Sequence, residues 1–291
     1  MIAYLEYFFA KFLILFSTLL PKRAIFSLFK NLSILLFFLD KKRKKLTINN
    51  LKNLYPQKDE KSLLKLAKEV YIETSKTLSE SVLILTNRVS KEKLIESIDD
   101  SDMKKVEIKK DRATILIAGH FGAWEMLPHY FAIKGYEPNV IAREGNNSLI
   151  EQNITLPTRS RFGTKTIYKK RAGVSVLKAL KNSEMVGILI DQKAGAKNGV
   201  LTDFFGKKCY STKLIANLKL KLDIDIHAVF MAREADGLKL IVSENIDYRA
   251  DEVDSKDKKI ELMSENYNRY MEEAIKKYPT QWFWMHNRWK L

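Results

Sequence analysis

At 291 residues the chain is long enough for one large domain with an appendage, and 51 Lys+Arg against 35 Asp+Glu give it a formal charge of +16 at pH 7. Such a surplus suits a polyanionic partner, whether nucleic acid, an anionic membrane surface or an acidic protein. No nucleic-acid-binding motif and no basic, aromatic-studded platform is present, which sets the first aside, and the single cysteine, Cys209, excludes an intrachain disulfide or a multi-cysteine metal site.

The first segment, MIAYLEYFFAKFLILFSTLLP, is apolar apart from Glu6 and Lys11 and closes at Pro21. A second apolar stretch, AIFSLFKNLSILLFFLD, is interrupted by Lys30 and followed by KKRKK, Lys41 to Lys45. No positive region precedes the apolar run and no small-residue cleavage site follows it, which argues against a cleaved signal peptide. As a helix the first segment is about 30 Å long, the thickness of a hydrocarbon core. Glu6 and Lys11 would each cost on the order of 3 kcal/mol at mid-bilayer, so both a spanning helix and a monotopic anchor stay open. Residues 1–40 are expected to form a membrane anchor, with Lys41 to Lys45 on the cytoplasmic side near anionic headgroups.

Residues 41–105 read as helical, and EKSLLKLAKEVYIETSKTLSESVLIL predicts one long amphipathic helix. From about Val106 short apolar runs alternate with helical stretches. Strands are expected at Ile115–Ala118, Asn139–Ala142, Thr164–Tyr168, Met185–Ile190, Ile226–Met231 and Leu238–Ser243, the last two as a hairpin turning at Asp236-Gly237. Helices are expected at Ala123–Ile133, Ser148–Arg161, Gly173–Lys181, Ser211–Leu222 and about Lys256–Lys277, before an aromatic tail, QWFWMHNRWKL. The alternation predicts an α/β core over 106–291 with a mostly parallel central sheet flanked by helices.

Chemistry concentrates in TILIAGHFGAWEM, Thr114 to Met126. His120 falls at a strand-to-helix turn at the carboxyl end of a strand, where open α/β sheets place their ligands. On one continuous helix, a five-residue separation would set His120 and Glu125 about 140° apart. They can meet only if His120 precedes the helix and Glu125 opens it, which the flanking glycines permit. An imidazole paired with a carboxylate takes a proton from a hydroxyl, and amides near Gly122 are candidate anion donors. No G-x-S-x-G turn supplies a protein nucleophile, so the nucleophile would be the substrate's own hydroxyl.

His129 shares a helical face with Glu125, which raises a three-ligand metal reading with His120. The missing H-E-x-x-H spacing and fourth ligand weigh against it. His227 and His286 read as packing residues. At other strand ends, VIAREGNN supplies Arg143 and Asn146, and RSRFGTKTIYKKR supplies Arg159, Arg161, Lys165 and the basic run Lys169, Lys170, Arg171. GILIDQKAG supplies Asp191 and Gln192, and the phenylalanines of LTDFFGKK are expected to be exposed as a lid or acyl-chain wall. Planar guanidinium groups suit phosphates and oxyanions, which favours Arg143 and Arg161 over the run at 169–171.

These elements, taken together, resemble the late acyltransferases of lipid A biosynthesis, the lauroyl/myristoyl transferases of the lysophospholipid acyltransferase superfamily. KKRKKLTINNLKNLYP is similar to the family's basic stretch leading to N-L-x-x-x-[FY]-P, and GHFGAWE to its G-H-x-G-N-W-E signature with the HX4E spacing. AREGNN resembles its R-x-x-x-N element, RSRFGTKTI its R-x-x-x-G segment, and ILIDQKAGAKNGVLTDFFGKK its D-Q-D-x-G…F-F-G block. PTQWFWMHNRWK resembles its closing motif. Ala123 stands where the family has Asn, Lys193 replaces an acid, Asn287 replaces an arginine, and the proline usual after the arginine of AREGNN is missing.

The resemblance implies a glycerol-phosphate-acyltransferase-like fold and transfer of a fatty acyl group from acyl carrier protein to a hydroxyl on an acyl chain of a lipid A precursor. It implies His120 as base, Glu125 as the acid that holds and charge-balances it, and a setting on the cytoplasmic side of the inner membrane. Arg143 and Arg161 would bind phosphate or stabilise the oxyanion, with Asp191 and Gln192 supporting the site. It calls for no metal or nucleotide cofactor. Two other readings remain: a sister enzyme acting on another glycolipid or a lysophospholipid, and a non-catalytic binder of the membrane surface.

Overall fold

In a computed structural model, which describes residues 2–169 and 172–291, five helices come first. They are α1 (Ile2–Leu19), α2 (Lys22–Leu39), α3 (Lys41–Leu54), α4 (Glu60–Leu85) and α5 (Lys91–Glu96). Pro21 separates the first two, with its fixed φ at −61°. Polar caps start the next three: Asp40 accepts from the Arg43 amide at 2.8 Å, Asp59 from Ser62 at 2.6 Å and Ser90 from Lys93 at 3.3 Å. By length and composition α1 can cross a membrane, and none of its residues is buried. The second apolar helix divides its faces. Ile25 and Phe37 are buried, while Leu28, Leu32, Leu35, Leu36 and Leu39 form an exposed stripe.

The strands are β1 (Ile98–Asp99), β2 (Thr114–Ala118), β3 (Pro138–Ala142), β4 (Lys165–Tyr168), β5 (Met185–Leu189), β6 (Gly199–Phe204), β7 (Lys207–Thr212), β8 (Asp225–Glu234) and β9 (Gly237–Val242). Helices α6 (Met126–Ile133), α7 (Ser148–Ile150), α8 (Leu156–Ser160), α9 (Ala172–Lys181), α10 (Leu214–Lys219) and α11 (Lys256–Lys277) lie between and after them. Seven strands form one sheet in the order β1-β9-β8-β2-β5-β3-β4, parallel throughout except for the β8–β9 hairpin. The central strands are buried on both faces. Ile115 and Ile117 pack into one cluster with α4 and α11 residues, Leu116 and Ala118 into another with α6. The first cluster also takes in Phe37 and Leu51, so α2 and α3 share a core with the sheet.

The expected helix at 148–161 runs unbroken from Ser148 to Ser160, with a π segment at Glu151–Thr155 between α7 and α8. Two expectations need correction. The helix expected at Ser211–Leu222 shrinks to α10, since Ser211 and Thr212 belong to β7. The phenylalanines of LTDFFGKK do not form a lid. They lie at the turn of the antiparallel β6–β7 hairpin, where Phe205 (φ +53°) and Gly206 (φ +69°) reverse the chain. Strand alternation turns Phe204 inward, fully buried and 5.5 Å from the Trp282 ring. Lys170 and Arg171, expected in a basic loop, lie outside the described residues.

Candidate active site

The turn after β2 is held on three sides. Gly122 N–H donates to the Gln281 carbonyl at 2.8 Å, Ala123 N–H to Met231 at 2.8 Å, and Thr77 on α4 donates to the Gly122 carbonyl at 2.9 Å. These bonds occupy two of the amides expected to receive an anion, so they are structural donors. Gly122 is sterically required: its φ is +55°, and a Cβ there would fall 2.0 Å from the Met231 carbonyl oxygen. A Cβ on Gly119 would fall 2.0 Å from Met271 Cε, the far end of a side chain that would have to move.

This packing delivers His120 to Asp191, two residues past Leu189 at the end of the neighbouring strand β5. The Asp191 carboxylate accepts from the His120 backbone N–H at 3.0 Å and lies 2.9 Å from Nδ1. A carboxylate only accepts, so Nδ1 carries the proton and Nε2 is left with its lone pair. Trp282 completes the arrangement from the chain's end, donating its indole N–H to the second Asp191 oxygen at 2.8 Å. Asp191 is 2% exposed. Burial opposes its ionisation, but the charge and hydrogen bond of His120, with the Trp282 and backbone donors, hold its carboxyl below the usual range. For His120, burial opposes the charged ring. The Asp191 charge and hydrogen bond, with a smaller contribution from Glu125, outweigh that and carry its pKa above 6.5.

The orienting contact expected from Glu125 is therefore made by Asp191. Glu125 stands at the N-cap position of α6 and accepts from the Trp124 indole at 3.1 Å. Its charge reaches His120 without a direct hydrogen bond. Trp124 and Phe283 flank the imidazole, with ring centroids 5.4 and 6.2 Å away. Gln192 places Nε2 at 3.3 Å from His120 Nε2.

His120, Glu125 and Arg143 line one cavity of about 240 Å³. Its walls are mostly apolar, from β2, β3, β5 and α6, and Arg159 joins them. Arg143 is exposed and has no ion-pair partner among the described residues. Its loop is fixed by Glu151, a buried carboxylate that accepts from the Gly145 amide at 3.0 Å and the Tyr168 hydroxyl at 3.0 Å and pairs with Arg159 at 3.4 Å. Arg161 is not brought to this cavity. Its guanidinium donates to the Ile84 carbonyl at the end of α4, at 2.6 Å, and packs on Phe162. His129 does line the cavity, neutral at pH 7, because burial and then Arg161 push its pKa down to about 4.

Sequence reasoning missed Trp282, Phe283 and Arg288, although all belong to the quoted closing stretch. Arg288 is fully buried and donates to the Gln192 and Tyr210 carbonyls at 3.1 and 2.7 Å, joining the strand end after β5 to β7. A tail of tryptophans reads as packing, and only the fold shows that it closes the back of the site.

Fold and site together define an α/β protein with a histidine–carboxylate pair at the edge of an apolar, arginine-bearing cavity, an arrangement suited to moving a proton beside a lipid chain. A family model described as bacterial lipid A biosynthesis acyltransferase matches residues 1–291, and the chain belongs to that family. It is an acyltransferase of lipid A biosynthesis with a lipid A precursor as substrate. No curated protein matches the chain.

Proposed function

We propose that the protein transfers a fatty acyl group from acyl carrier protein to a hydroxyl on an acyl chain of a lipid A precursor, with His120 as general base. The observation that carries this reading is His120 Nδ1 at 2.9 Å from the buried Asp191, which leaves Nε2 as the basic nitrogen. The acceptor hydroxyl takes the place of the Gln192 amide beside Nε2, gives up its proton and attacks the thioester carbonyl. Arg143 faces the negative charge that develops on that oxygen or a phosphate of the acceptor. Collapse expels the carrier thiolate, which recovers the proton from the imidazolium. Asp191 fixes the ring and Glu125 adds a second negative charge near the imidazolium. The apolar walls from β2, β3 and β5 suit a hydrocarbon chain. Acyl carrier protein is acidic and the acceptor carries phosphates, which fits the charge of +16. The apolar α1 and the exposed stripe of α2 support a place at the inner membrane, with the catalytic domain on its cytoplasmic side.

The test is a transfer assay with purified, detergent-solubilised protein and a labelled acyl carrier protein thioester. A tetraacylated lipid A precursor and a lysophospholipid are offered separately. The proposal expects label on the glycolipid alone. Label on the lysophospholipid alone would reassign the acceptor, and label on neither would revive a membrane-surface binder.

A further inference from the structure

A second cavity, of about 760 Å³, lies between the Pro21 break and the β8–β9 hairpin and shares no lining residue with the one around His120. Six cations line it, Lys22, Arg23, Lys76, Arg88, Lys93 and Arg233, against two carboxylates, Glu80 and Glu234. Both carboxylates are engaged. Glu80 takes the Arg233 guanidinium at 2.6 and 2.9 Å, and Glu234 accepts the Tyr278 hydroxyl. Lys76 pairs with Glu73, and Arg88 donates to the Ser17 and Leu20 carbonyls at the end of α1. Lys22, Arg23 and Lys93 have no carboxylate within ion-pair distance among the described residues.

Lys22 and Arg23 also sit where their charge is least favoured. They form the first turn of an 18-residue helix, the end at which the dipole attracts anions, and that turn holds no acid and no side-chain cap. Sequences break such a local rule where function asks for it, and a bound anion would reverse the sign of the effect. The floor between the cations is apolar, made of Phe26, Leu83, Val89, Leu94, Met126 and Leu238. Arg88 ties the cavity to the end of α1, and Lys22 opens α2, whose further length carries the exposed leucine stripe. A cationic rim over an apolar floor is complementary to an amphiphile with an anionic head.

We propose that this cavity binds the phosphate headgroup of a membrane lipid, with the phosphate among Lys22, Arg23 and Lys93 and the first carbons of its chains on the apolar floor. The site is separate from the His120 cavity and does not depend on the acyl-transfer reading. Free phosphate shares the charge chemistry but makes no use of the floor.

Calorimetric titration of the full chain held in amphipol tests this, using dihexanoyl phosphatidic acid below its critical micelle concentration so that no bilayer contributes. Inorganic phosphate is titrated separately. The proposal expects saturable binding of one lipid per chain, weakened at least tenfold by the double substitution K22E/R23E and also weakened by Lys93→Glu. The double substitution K178E/K181E on α9, an equal change of charge far along the chain, is expected to leave it unchanged. No saturable binding, or equal loss in both double variants, would overturn the site. Inorganic phosphate binding as tightly as the lipid would overturn its assignment to a lipid. Circular dichroism melts establish folding, and Lys93→Glu alone carries the test if the double variant is unfolded.

Discussion

The two sides of the His120 ring are built in opposite ways. Behind Nδ1, Asp191 is buried and met by three donors, and the turn carrying His120 is stapled to α4, β8 and the C-terminal segment. In front of Nε2 lie a cavity, the side chain of Gln192 and an exposed Arg143 with no ion-pair partner among the described residues. The closed side uses up its hydrogen-bonding capacity, so it can fix a tautomer and a charge. The open side leaves its capacity unspent, which is where a substrate finds partners. Rigid support behind and unsatisfied polarity in front is the division expected of a preorganised site.

Removing the ring tests both sides at once. His120→Ala is expected to lower kcat by on the order of 10²–10⁴-fold in the transfer assay with the fold retained by circular dichroism. A variant as active as the parent would end the general-base account. On the open side, Arg143→Ala is expected to lower kcat/KM by about 10²-fold, equivalent to about 2.7 kcal/mol of transition-state stabilisation. Arg161→Ala is the matched comparison: it should leave kcat/KM nearly intact and reduce stability in urea unfolding by about 1 kcal/mol, because its partner is the Ile84 carbonyl. Equal kinetic effects from the two arginines would erase the distinction drawn between them. On the closed side, Trp282→Phe removes one donor from a buried carboxylate, and a stability loss of about 1.5–3 kcal/mol is expected in the same unfolding experiment.

The legible parts of the molecule were those with strong periodicity. α4 and α11 are found at Glu60–Leu85 and Lys256–Lys277, as their spacing indicates, and the parallel strands follow from apolar runs between helical stretches. The β6–β7 hairpin was hidden because VLTDFFGKKCYST mixes charges with aromatics, and its turn uses a non-glycine residue at positive φ. At the site, His120 stood out by its place after a strand. Asp191 was legible as a supporting residue at another strand end, but its hydrogen bond to His120 was not, because the two are distant in sequence and adjacent only through the pairing of β2 with β5. Glu125 was near in sequence, but the chain turns it toward Trp124. Local spacing reports local geometry, whereas contacts across a sheet need the strand order.

The pH dependence of single-turnover acyl transfer, in the parent and in Asp191→Asn, bears most directly on the claim that Asp191 holds His120 as the base. A base acts only when unprotonated, so the rate rises with pH through its pKa. Asp191 raises that pKa, and the parent should therefore show an acid limb above pH 6.5. Neutralising the carboxylate removes the larger attraction and leaves burial opposed only by the smaller contribution of Glu125, so the limb of Asp191→Asn should move to lower pH while the plateau rate falls. An acid limb at the same pH in both proteins would contradict the account.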